Sequence, residues 1–414
     1  MRVLILGAGV IGVTTAYELA NDGHQITVID RQSKPAMETS FGNAGLICPG
    51  HSFAGTTPKL PGSLMKSLFQ KQQVFRYKLH WSPELIRWVL QFLQQCTGKN
   101  MKTNTNRKLL LCSYSQTKLH DLTAKTGLDY DQKTNGLIYI YRSNETFNEA
   151  KDKLNLLSSL DDKMELLDTS ELITIEPALE PIQSKLSGGI YCKTDESGNC
   201  FKFTTKLSNL CQKMNVTFNH DEIISRFETK GDEIQKVITN KNEYSADVYV
   251  MAMGSFSSLF AKQIGDYLPI YPVKGYSITM PIFDVSKAPF HSGIDEDNML
   301  AFSIIGDCIR FTSIAEIDGY NTGFKPSDFS YMVNLSESLF PDAFDFTSIK
   351  YWAGLRPMTP NGSPFFGNGK MKNLFYNTGH GHLGWTMACG SAKITADLIT
   401  GRKPKISLEG MLLN

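Results

Sequence analysis

The glycine-rich stretch near the start of the chain constrains its fold more than any other feature. An apolar run from Arg2 to Leu6 leads directly into Gly7-Ala8-Gly9-Val10-Ile11-Gly12. The run is typical of a buried parallel strand, and the stretch after it has the spacing G-x-G-x-x-G. In this pattern Gly7 permits a tight turn, Gly9 lets the backbone approach a pyrophosphate, and Gly12 lets the following helix pack on the strand. The sequence therefore predicts a phosphate-binding turn between a strand and a helix.

The residues that follow complete a strand–helix–strand unit. Apolar spacing predicts a helix from Val10 to Asn21 and a second strand from Gln25 to Ile29. Asp30 comes about 20 residues after the glycines, where an acid can hold a ribose hydroxyl. We therefore predict dinucleotide binding, with an ordinary βαβ unit as the alternative. Asp30 and the adjacent Arg31 do not distinguish FAD from NAD.

Length and composition exclude several classes of protein. With 414 residues the chain is long enough for two or three domains. A net charge of +1 argues against general nucleic-acid binding. The eight cysteines include no C-x-x-C pair that would indicate zinc or a redox dithiol. No apolar run is long enough to predict a membrane span, and the first strand begins too early to leave room for a signal peptide. We therefore expect an intracellular, cytoplasmic protein with no metal site.

A loop rich in small residues follows the acid. It reads Thr39-Ser40-Phe41-Gly42-Asn43-Ala44-Gly45-Leu46. Its glycines and hydroxyl groups suit a segment that presses backbone amides against a ligand. A solvent-exposed loop is the alternative, but the position shortly after Asp30 favours contact with the cofactor.

Residues 58–98 combine basic and apolar side chains. Basic residues, among them Lys78, are interspersed with apolar ones from residue 64 to residue 79. Ser82 as N-cap and Pro83 at the first helical position predict a helix with a broad apolar face. The segment is either a helix packed on the core behind a basic loop or a patch that rests on a membrane surface.

The middle of the chain predicts a helix and a second sheet. A helix is expected from Arg107 to Lys125, and Asp195 to Cys200 has the composition of a polar turn. The strand Ala246–Ala252 is followed by Gly254, as in FAD proteins that make a second contact with the dinucleotide. From Tyr267 to Phe346, strands alternate with turns without the rhythm of βαβ units. This pattern indicates a mostly antiparallel sheet, and ligand sites commonly form where two such domains meet.

Two stretches near the end of the chain carry candidate chemistry. Arg356 is a single arginine between glycine-containing turns. A guanidinium can hold a carboxylate through two parallel hydrogen bonds, although a surface ion pair is the alternative. Thr378 to Trp385 predicts a second strand–turn–helix unit, whose helix N-terminus could stabilise negative charge on a flavin ring. His380 and His382 lack a recognisable third ligand for a metal.

Together these stretches resemble one family of enzymes. GAGVIG and Asp30 combine with TSFGNAGLICPG, ADVYVMAMGS, GLRPMTPNGSPFFG and NTGHGHLGWTMACGS. The combination is similar to the FAD-dependent D-amino-acid oxidase superfamily and, within it, to the bacterial D-amino-acid dehydrogenases of the small-subunit type. The resemblance covers nearly the whole chain. The chain departs from the family pattern at Gly42, where alanine is usual, at His382, where threonine is common, and at Phe311 and Thr312, which replace a Val-Gly-Gly-like run. These departures bear on substrate preference and leave the flavin site intact.

The resemblance implies an α/β fold (α+β overall). A Rossmann-like FAD-binding domain would be interleaved with a mostly antiparallel substrate-binding domain. Residues 1–57, 170–266 and 347–414 would form the FAD-binding domain. Residues 58–169, with a helical insertion, and residues 267–346 would form the substrate-binding domain.

The resemblance also implies which residues form the site. FAD would bind non-covalently, with its pyrophosphate at the glycine-rich turn and its adenosine ribose on Asp30. Arg356 would hold the substrate carboxylate, with His382 and Gly384 as further catalytic positions. The implied cofactor-binding residues are Gly7, Gly9, Val10, Ile11, Gly12, Asp30, Arg31, Thr39, Ser40, Asn43, Ala44, Gly45, Leu46, Gly254, Gly379, Gly381, His382, Leu383, Gly384 and Trp385.

The implied reaction is the oxidative deamination of a D-amino acid. A hydride would pass from the α carbon to flavin N5, and the imino acid would hydrolyse to a 2-oxo acid and ammonia. Positioning and electrostatics would replace a side-chain base. A membrane quinone or another acceptor would take the electrons. Residues 64–95 could then serve as a peripheral contact with the inner face of the cell membrane.

Other functions are compatible with the same residues. An oxygen-using oxidase of glycine, sarcosine or another amine shares the fold and the arginine, as does a D-hydroxyproline dehydrogenase. The chain could also be the flavin-binding subunit of a larger complex. An NAD-linked dehydrogenase is disfavoured.

Overall fold

The computed structural model describes residues 1–62, 74–78, 82–154 and 163–413. The strands are β1 (Arg2–Leu6), β2 (Gln25–Ile29), β3 (Leu46–Ile47), β4 (Phe75–Tyr77), β5 (Leu137–Tyr141), β6 (Met164–Leu167), β7 (Gly188–Cys192), β8 (Glu196–Ser197), β9 (Thr217–Asn219), β10 (Ile224–Lys230), β11 (Glu233–Thr239), β12 (Glu243–Tyr244), β13 (Val248–Met251), β14 (Tyr271–Pro281), β15 (Ser292–Asp295), β16 (Leu300–Ile305), β17 (Cys308–Ile317), β18 (Lys350–Met358), β19 (Phe365–Asn368) and β20 (Leu374–Thr378). The helices are α1 (Val10–Asn21), α2 (Pro83–Gln95), α3 (Gly98–Thr126), α4 (Asn144–Leu154), α5 (Thr169–Ile175), α6 (Cys200–Lys213), α7 (Ser257–Gln263), α8 (Ser330–Leu339) and α9 (Gly384–Ile399).

The first large sheet is built around the strand–helix–strand unit of residues 2–29. β1 lies between β2 and β13 and is parallel to both. The full order is β19-β20-β13-β1-β2-β9, in which β19 is antiparallel to β20. The predicted bounds of β1, α1 and β2 are confirmed. The Rossmann-like half of the predicted fold class is therefore confirmed as well.

Helix α1 packs against α9, which packs in turn against α3. Val13 of α1 is buried in one cluster with Leu119 of α3 and Ala388 of α9, and burial of a side chain of this kind contributes roughly 1.5–3 kcal/mol. A Cβ on Gly390 of α9 would lie 2.8 Å from the Cα of Ser115 in α3, so these two helices cross closely. This packing fixes the start of α9 relative to the start of α1.

The second large sheet is mostly antiparallel, as predicted. Its order is β18-β14-β17-β16-β15-β5-β7-β6, and β4 adds to β17. The pairs β15–β5 and β17–β4 are parallel, and the others are antiparallel. β7 and β18 lie in this sheet, although the boundaries expected from the sequence put both in the FAD-binding part. The division of the chain into two domains stays a prediction.

Three local predictions were wrong in detail. Arg356 lies inside β18 and not between turns, because β18 continues through Gly354 and pairs with β14. Helix α3 begins at Gly98 and not at Arg107, because the side chain of Thr97 accepts a hydrogen bond from the Asn100 N–H and caps the helix. Helix α8 interrupts the stretch predicted to contain strands and turns.

The supposed polar turn at residues 195–200 is buried. Asp195 and Glu196 are at most 4% exposed. The Tyr139 hydroxyl and the Gly50 N–H donate hydrogen bonds to Asp195, and the Gln116 side chain donates to Glu196. Buried carboxylates are tolerated when such donors satisfy them. The composition of the segment therefore gave a misleading indication of its exposure.

The N-terminal signal of α2 is confirmed. The side chain of Ser82 accepts a hydrogen bond from the Leu85 N–H, and Leu85 and Trp88 are buried against β14. Lys78 pairs with Glu316 and Asp318 at 3.1 and 2.8 Å. The predicted basic stretch of residues 64–79 lies mostly outside the described residues. In the described part of the chain, no helix is both long and apolar enough to cross a membrane.

Candidate active site

One cavity of about 1420 Å³ is lined by residues of both large sheets. Most of the predicted site residues line it: Gly7, Gly9, Val10, Ile11, Asp30, Arg31, Thr39, Ser40, Asn43, Ala44, Leu46, Gly254, Arg356, Gly381, His382, Leu383 and Gly384. Segments far apart in the sequence thus meet around one space. The glycine-rich turn and Arg356 are both at its walls.

The glycine-rich turn has a conformation that requires glycine. Gly7 has a φ of +108°, and a Cβ there would lie 2.6 Å from the Ala252 carbonyl oxygen. A Cβ on Gly12 would collide with the Gly7 carbonyl group. The turn can therefore approach a ligand with bare backbone, as the sequence pattern requires for a pyrophosphate.

The acid after β2 holds this turn in place. The carboxylate of Asp30 accepts hydrogen bonds from the Ala8 N–H at 2.6 Å and the Gln32 N–H at 2.8 Å. Burial raises the pKa of Asp30, and the two backbone hydrogen bonds oppose that shift. The Arg31 guanidinium donates to Glu38 and lies 3.9 Å from the ring centroid of Phe256.

The loop of residues 39–46 is tied to both sheets. The Ser40 hydroxyl accepts a hydrogen bond from the Val10 N–H at 3.0 Å, and the Thr39 hydroxyl donates to the Leu355 carbonyl oxygen at 2.7 Å. Asn43 closes the loop by accepting from the Gly45 N–H at 2.8 Å. The loop is therefore a wall of the cavity and not a solvent loop.

Arg310 anchors this loop, and sequence reasoning did not identify it. Its guanidinium donates to the carbonyl oxygens of Phe41 at 2.9 Å and Asn43 at 3.1 Å. Arg310 is 8% exposed, and its guanidinium also donates to the Thr279 hydroxyl at 2.9 Å. Burial lowers its pKa to about 10, so the guanidinium remains charged near neutral pH. Because its partners lie in a distant segment, the sequence contains no signal for this role.

Two helix N-termini open onto the cavity. Neither α1 nor α9 is capped by the side chain of its own N-cap residue, and their first residues, Val10 and Gly384, line the cavity. The Val10 N–H donates to the Ser40 hydroxyl. A helix N-terminus presents the positive end of the helix dipole and those N–H groups that have no partner. The cavity is therefore suited to a ligand with negative charge at two places, which fits the phosphates and the ring of a flavin dinucleotide.

The turn before α9 brings two histidines, His380 and His382, to the cavity wall. Gly379 and Gly381 have φ angles of +83° and +58°, which place the chain in the left-handed region. The His380 ring hydrogen-bonds to the Ser391 hydroxyl at 3.0 Å, and burial lowers its pKa to about 3. His382 faces the cavity, where desolvation and then nearby positive charges, including that of Arg356, hold its pKa well below the usual range. His382 is therefore neutral at physiological pH.

Arg356 is held by backbone and not by an acid. Its guanidinium donates to the carbonyl oxygens of Ile314 at 2.8 Å and Ser313 at 3.3 Å. Burial lowers its pKa to about 10, so it remains a cation near neutral pH. It forms no ion pair within the described part of the chain, which argues against the alternative of a surface ion pair. A fixed, unpaired guanidinium at a cavity wall is suited to bind a carboxylate.

Four predicted cofactor residues do not line the cavity. Gly12 packs under the glycine-rich turn, Gly45 faces Ser303, and a Cβ on Gly379 would meet Thr359 at 2.8 Å. Trp385 is 3% exposed and packs against Tyr130 and Phe203 in the core. The three glycines shape the backbone near the cavity, and Trp385 anchors the start of α9. Their roles in cofactor binding stay predictions.

The structure adds cavity residues that sequence reasoning missed. Trp352 and Arg356 project from the same face of β18, with Gly354 between them. A Cβ on Gly42 or on Gly354 would overlap the Trp352 indole. His51 and Glu296 also line the cavity and pair at 2.8 Å. Gly354, two residues after Trp352, was a sequence signal that a large side chain lies close to the backbone here. The sequence contained no signal for the contact between His51 and Glu296.

A cavity with two anion-binding helix ends and an anchored cation suits a dinucleotide-dependent enzyme that acts on an organic acid. Residues 2–398 match the profile of the DAO family, described as FAD dependent oxidoreductase. The chain belongs to this family, and its cofactor is FAD. Among the described residues, no three His, Cys, Asp or Glu side chains gather as ligands for a metal.

The family assignment is supported by relatives and by a solved structure that match the chain over its full length. Proteins named D-amino acid dehydrogenase from Agrobacterium fabrum and Azorhizobium caulinodans are each 41% identical to the chain over 414 residues, covering 100% of it and 99% of each relative. Glycine oxidase from Geobacillus kaustophilus superposes with a TM-score of 0.76 at 17% identity, covering 100% of this chain and 98% of that one. This last likeness shows the fold alone.

Proposed function

We propose that the protein oxidises D-amino acids to 2-oxo acids and ammonia with FAD. One observation carries the proposal: a backbone-anchored Arg356, without an ion-pair partner among the described residues, shares a cavity with the N-termini of α1 and α9. The names of the relatives at 41% identity support a D-amino acid as the substrate. The family supports oxidation by FAD.

Different segments of the chain would bind the pyrophosphate, the flavin ring and the substrate. The glycine-rich turn and the start of α1 would hold the pyrophosphate, and the start of α9 would face the flavin ring. FAD supplies the acceptor for the hydride that leaves the α carbon. Arg356 binds the substrate carboxylate and so fixes one substituent of that carbon. His382 is neutral and therefore adds no positive charge beside Arg356.

An anaerobic titration tests the reaction. Purified protein should be yellow, and D-alanine should bleach its flavin absorbance while L-alanine should not. Arg356→Ala should lower kcat/KM by roughly 30- to 150-fold, which corresponds to losing about 2–3 kcal/mol of a charge-assisted contact. Arg226→Ala is the control, because Arg226 is an exposed partner of Glu228. Normal kinetics for Arg356→Ala would refute the assignment.

We further propose that the electrons pass to a quinone and that α2 contacts the membrane. Ile86, Leu90 and Leu93 of α2 are 45%, 57% and 41% exposed, which is unusual for three side chains of this type on one helix. Slow reoxidation by air and fast reoxidation by a soluble quinone would support the acceptor. Rapid formation of peroxide would instead indicate an oxidase.

Membrane contact has its own test. The protein should co-sediment with anionic lipid vesicles at low salt, and Leu90→Glu should weaken this binding. Val285→Glu is the control, because Val285 is 80% exposed on another element. If the wild-type protein stays in the supernatant, α2 only packs on the core and does not contact the membrane.

A further inference from the structure

An ion pair at the cavity wall has no part in the function proposed so far. The His51 Nε2 lies 2.8 Å from the Glu296 Oε1, and each side chain is 25% exposed. Both residues line the cavity that contains Arg356 and His382.

The surroundings hold His51 in one orientation. His51 ends a short 3₁₀ turn, Pro49–His51, and the N–H of Gly50 in that turn donates to Asp195 at 2.9 Å. Asp195 is fully buried and accepts a second hydrogen bond from the Tyr139 hydroxyl. The Tyr139 ring lies 5.4 Å from the His51 ring, measured between centroids. The backbone that carries His51 is therefore fixed by a buried network, and its imidazole packs beside the Tyr139 ring.

Glu296 presents an oxygen to the cavity. It directly follows β15, and its N–H donates to the Ile140 carbonyl oxygen at 3.0 Å. His51 contacts its Oε1, whereas its Oε2 accepts no hydrogen bond from the described residues. A carboxylate with one oxygen fixed and the other free can accept a hydrogen bond from a cation.

The carboxylates that line the cavity differ in their hydrogen-bond partners. Four carboxylates of the described residues line it: Asp30, Glu38, Glu222 and Glu296. Asp30 bonds to the glycine-rich turn, and Glu38 accepts from Arg31. The Glu222 N–H donates to the Asp30 carbonyl oxygen, so Glu222 belongs to the same end. Glu296 is thus the one of these four carboxylates that contacts His51, and it shares the cavity wall with Arg356 and His382.

We propose that Glu296, oriented by His51, binds the α-ammonium group of the substrate. This inference rests on the proposed function, because an amino acid brings a carboxylate for Arg356 and an ammonium for Glu296. Contacts with the carboxylate and the ammonium fix two of the four substituents of the α carbon. The pair of contacts then determines which enantiomer turns its hydrogen toward the cofactor.

The test compares a ligand that has the ammonium with one that lacks it. D-Alanine carries both charged groups, and propionate carries the carboxylate alone. In the FAD-loaded protein, Glu296→Gln keeps the shape and an acceptor for His51 but removes the charge. It should weaken D-alanine binding by about tenfold to a hundredfold, the size expected for one hydrogen bond to a charged group. Propionate binding, followed by the change in the flavin spectrum, should stay within twofold.

The controls separate this proposal from the proposed function. Arg356→Ala should weaken both ligands; an effect on neither would overturn the proposed function, whereas a result confined to Glu296→Gln bears on the ammonium site alone. Glu296→Asp, which keeps the charge, should recover part of the affinity for D-alanine. If Glu296→Gln fails to bind FAD, His51→Gln supplies the second variant and should reduce selectivity for D- over L-alanine.

Two results would overturn the ammonium site. Equal losses for D-alanine and propionate in Glu296→Gln would mean that the variant disturbs the whole cavity. A loss confined to D-lysine and D-arginine, with D-alanine unchanged, would assign Glu296 to side chains instead. Retention of enantiomer selectivity in both variants would contradict the proposed role in orientation.

Discussion

Replacing Gly275 with alanine should disable Arg356 without unfolding the protein. Gly275 lies in β14 opposite Gly354 of β18, next to Arg356. A Cβ on Gly275 would lie 2.5 Å from the Arg356 Nη2 and 2.8 Å from its Nε. The guanidinium is the movable end of a long side chain, so it will shift before the paired strands do. The strain therefore falls on the group that the proposed reaction needs.

The structure sets the size of the effect. A displaced guanidinium loses its hydrogen bonds to the carbonyl oxygens of Ile314 and Ser313, and it no longer meets the substrate carboxylate in the same place. Losing one hydrogen bond to a charged group costs about 1.5–3 kcal/mol, so kcat/KM should fall by roughly 10- to 150-fold. The lost hydrogen bonds also lower the stability of the fold, and the roughly 0.5–1 kcal/mol by which alanine is favoured over glycine inside a strand offsets part of that loss. The free energy of unfolding should therefore fall by about 1–2 kcal/mol, which shifts the unfolding temperature of a chain of this length by only a few degrees.

The assay is the anaerobic bleaching of the flavin by D-alanine, combined with thermal unfolding. Gly98→Ala is the control, because a Cβ on Gly98 meets no atom within 4 Å. Both variants should unfold near the wild-type temperature, and only Gly275→Ala should react slowly. A Gly275→Ala variant with wild-type kcat/KM would show that the position of the guanidinium does not limit the reaction.

The remaining predictions concern the walls of the cavity. Arg310→Met should weaken FAD binding measured by flavin fluorescence, because the guanidinium holds the loop that includes Asn43; unchanged affinity would contradict this role. Burial raises the pKa of Asp195 to about 6, above the 3.8 of the unfolded chain, so the folded state binds this proton more tightly. Stability should therefore fall by roughly 3 kcal/mol as pH rises from about 4 to 6, and Asp195→Asn should remove that slope in urea titrations. Gly42→Ala should destabilise the protein by about 1–3 kcal/mol through overlap with Trp352, and the added change Trp352→Ala should restore part of that loss; additive losses would refute the overlap.

The local parts of the fold were predictable because their causes are local. The glycine spacing, the apolar period and Asp30 specify β1, α1 and β2 within thirty residues. Ser82 and Pro83 likewise specify the start of α2 through a cap that spans one turn. A strand containing glycine was harder to predict: the stretch around Gly354 was interpreted as a turn. In β18 that glycine instead makes room for the Trp352 indole.

The walls of the site were less predictable because they depend on contacts between distant segments. Arg310 resembles an ordinary strand residue until the loop at Phe41 lies over it. Asp195 appears polar and exposed in sequence, and only the fold brings Tyr139 and Gly50 to its carboxylate. His51 and Glu296 form a pair in space that neither neighbourhood indicates. The composition of a segment gives its polarity, but it does not predict which distant segment will pack against it and bury it.

Three of the four departures from the family pattern line the cavity. These are Gly42, Thr312 and His382, whereas Phe311 points to the opposite face of β17 and is fully buried. The glycine-rich turn itself keeps the expected pattern, so we infer that these changes act on substrate preference. His382→Thr should then change the ratio of kcat/KM between D-alanine and larger D-amino acids by several-fold. If kcat/KM changed by the same factor for every substrate, His382 would act on the cofactor and not on selection. The ratio, and not the rate, is therefore the quantity that decides its role.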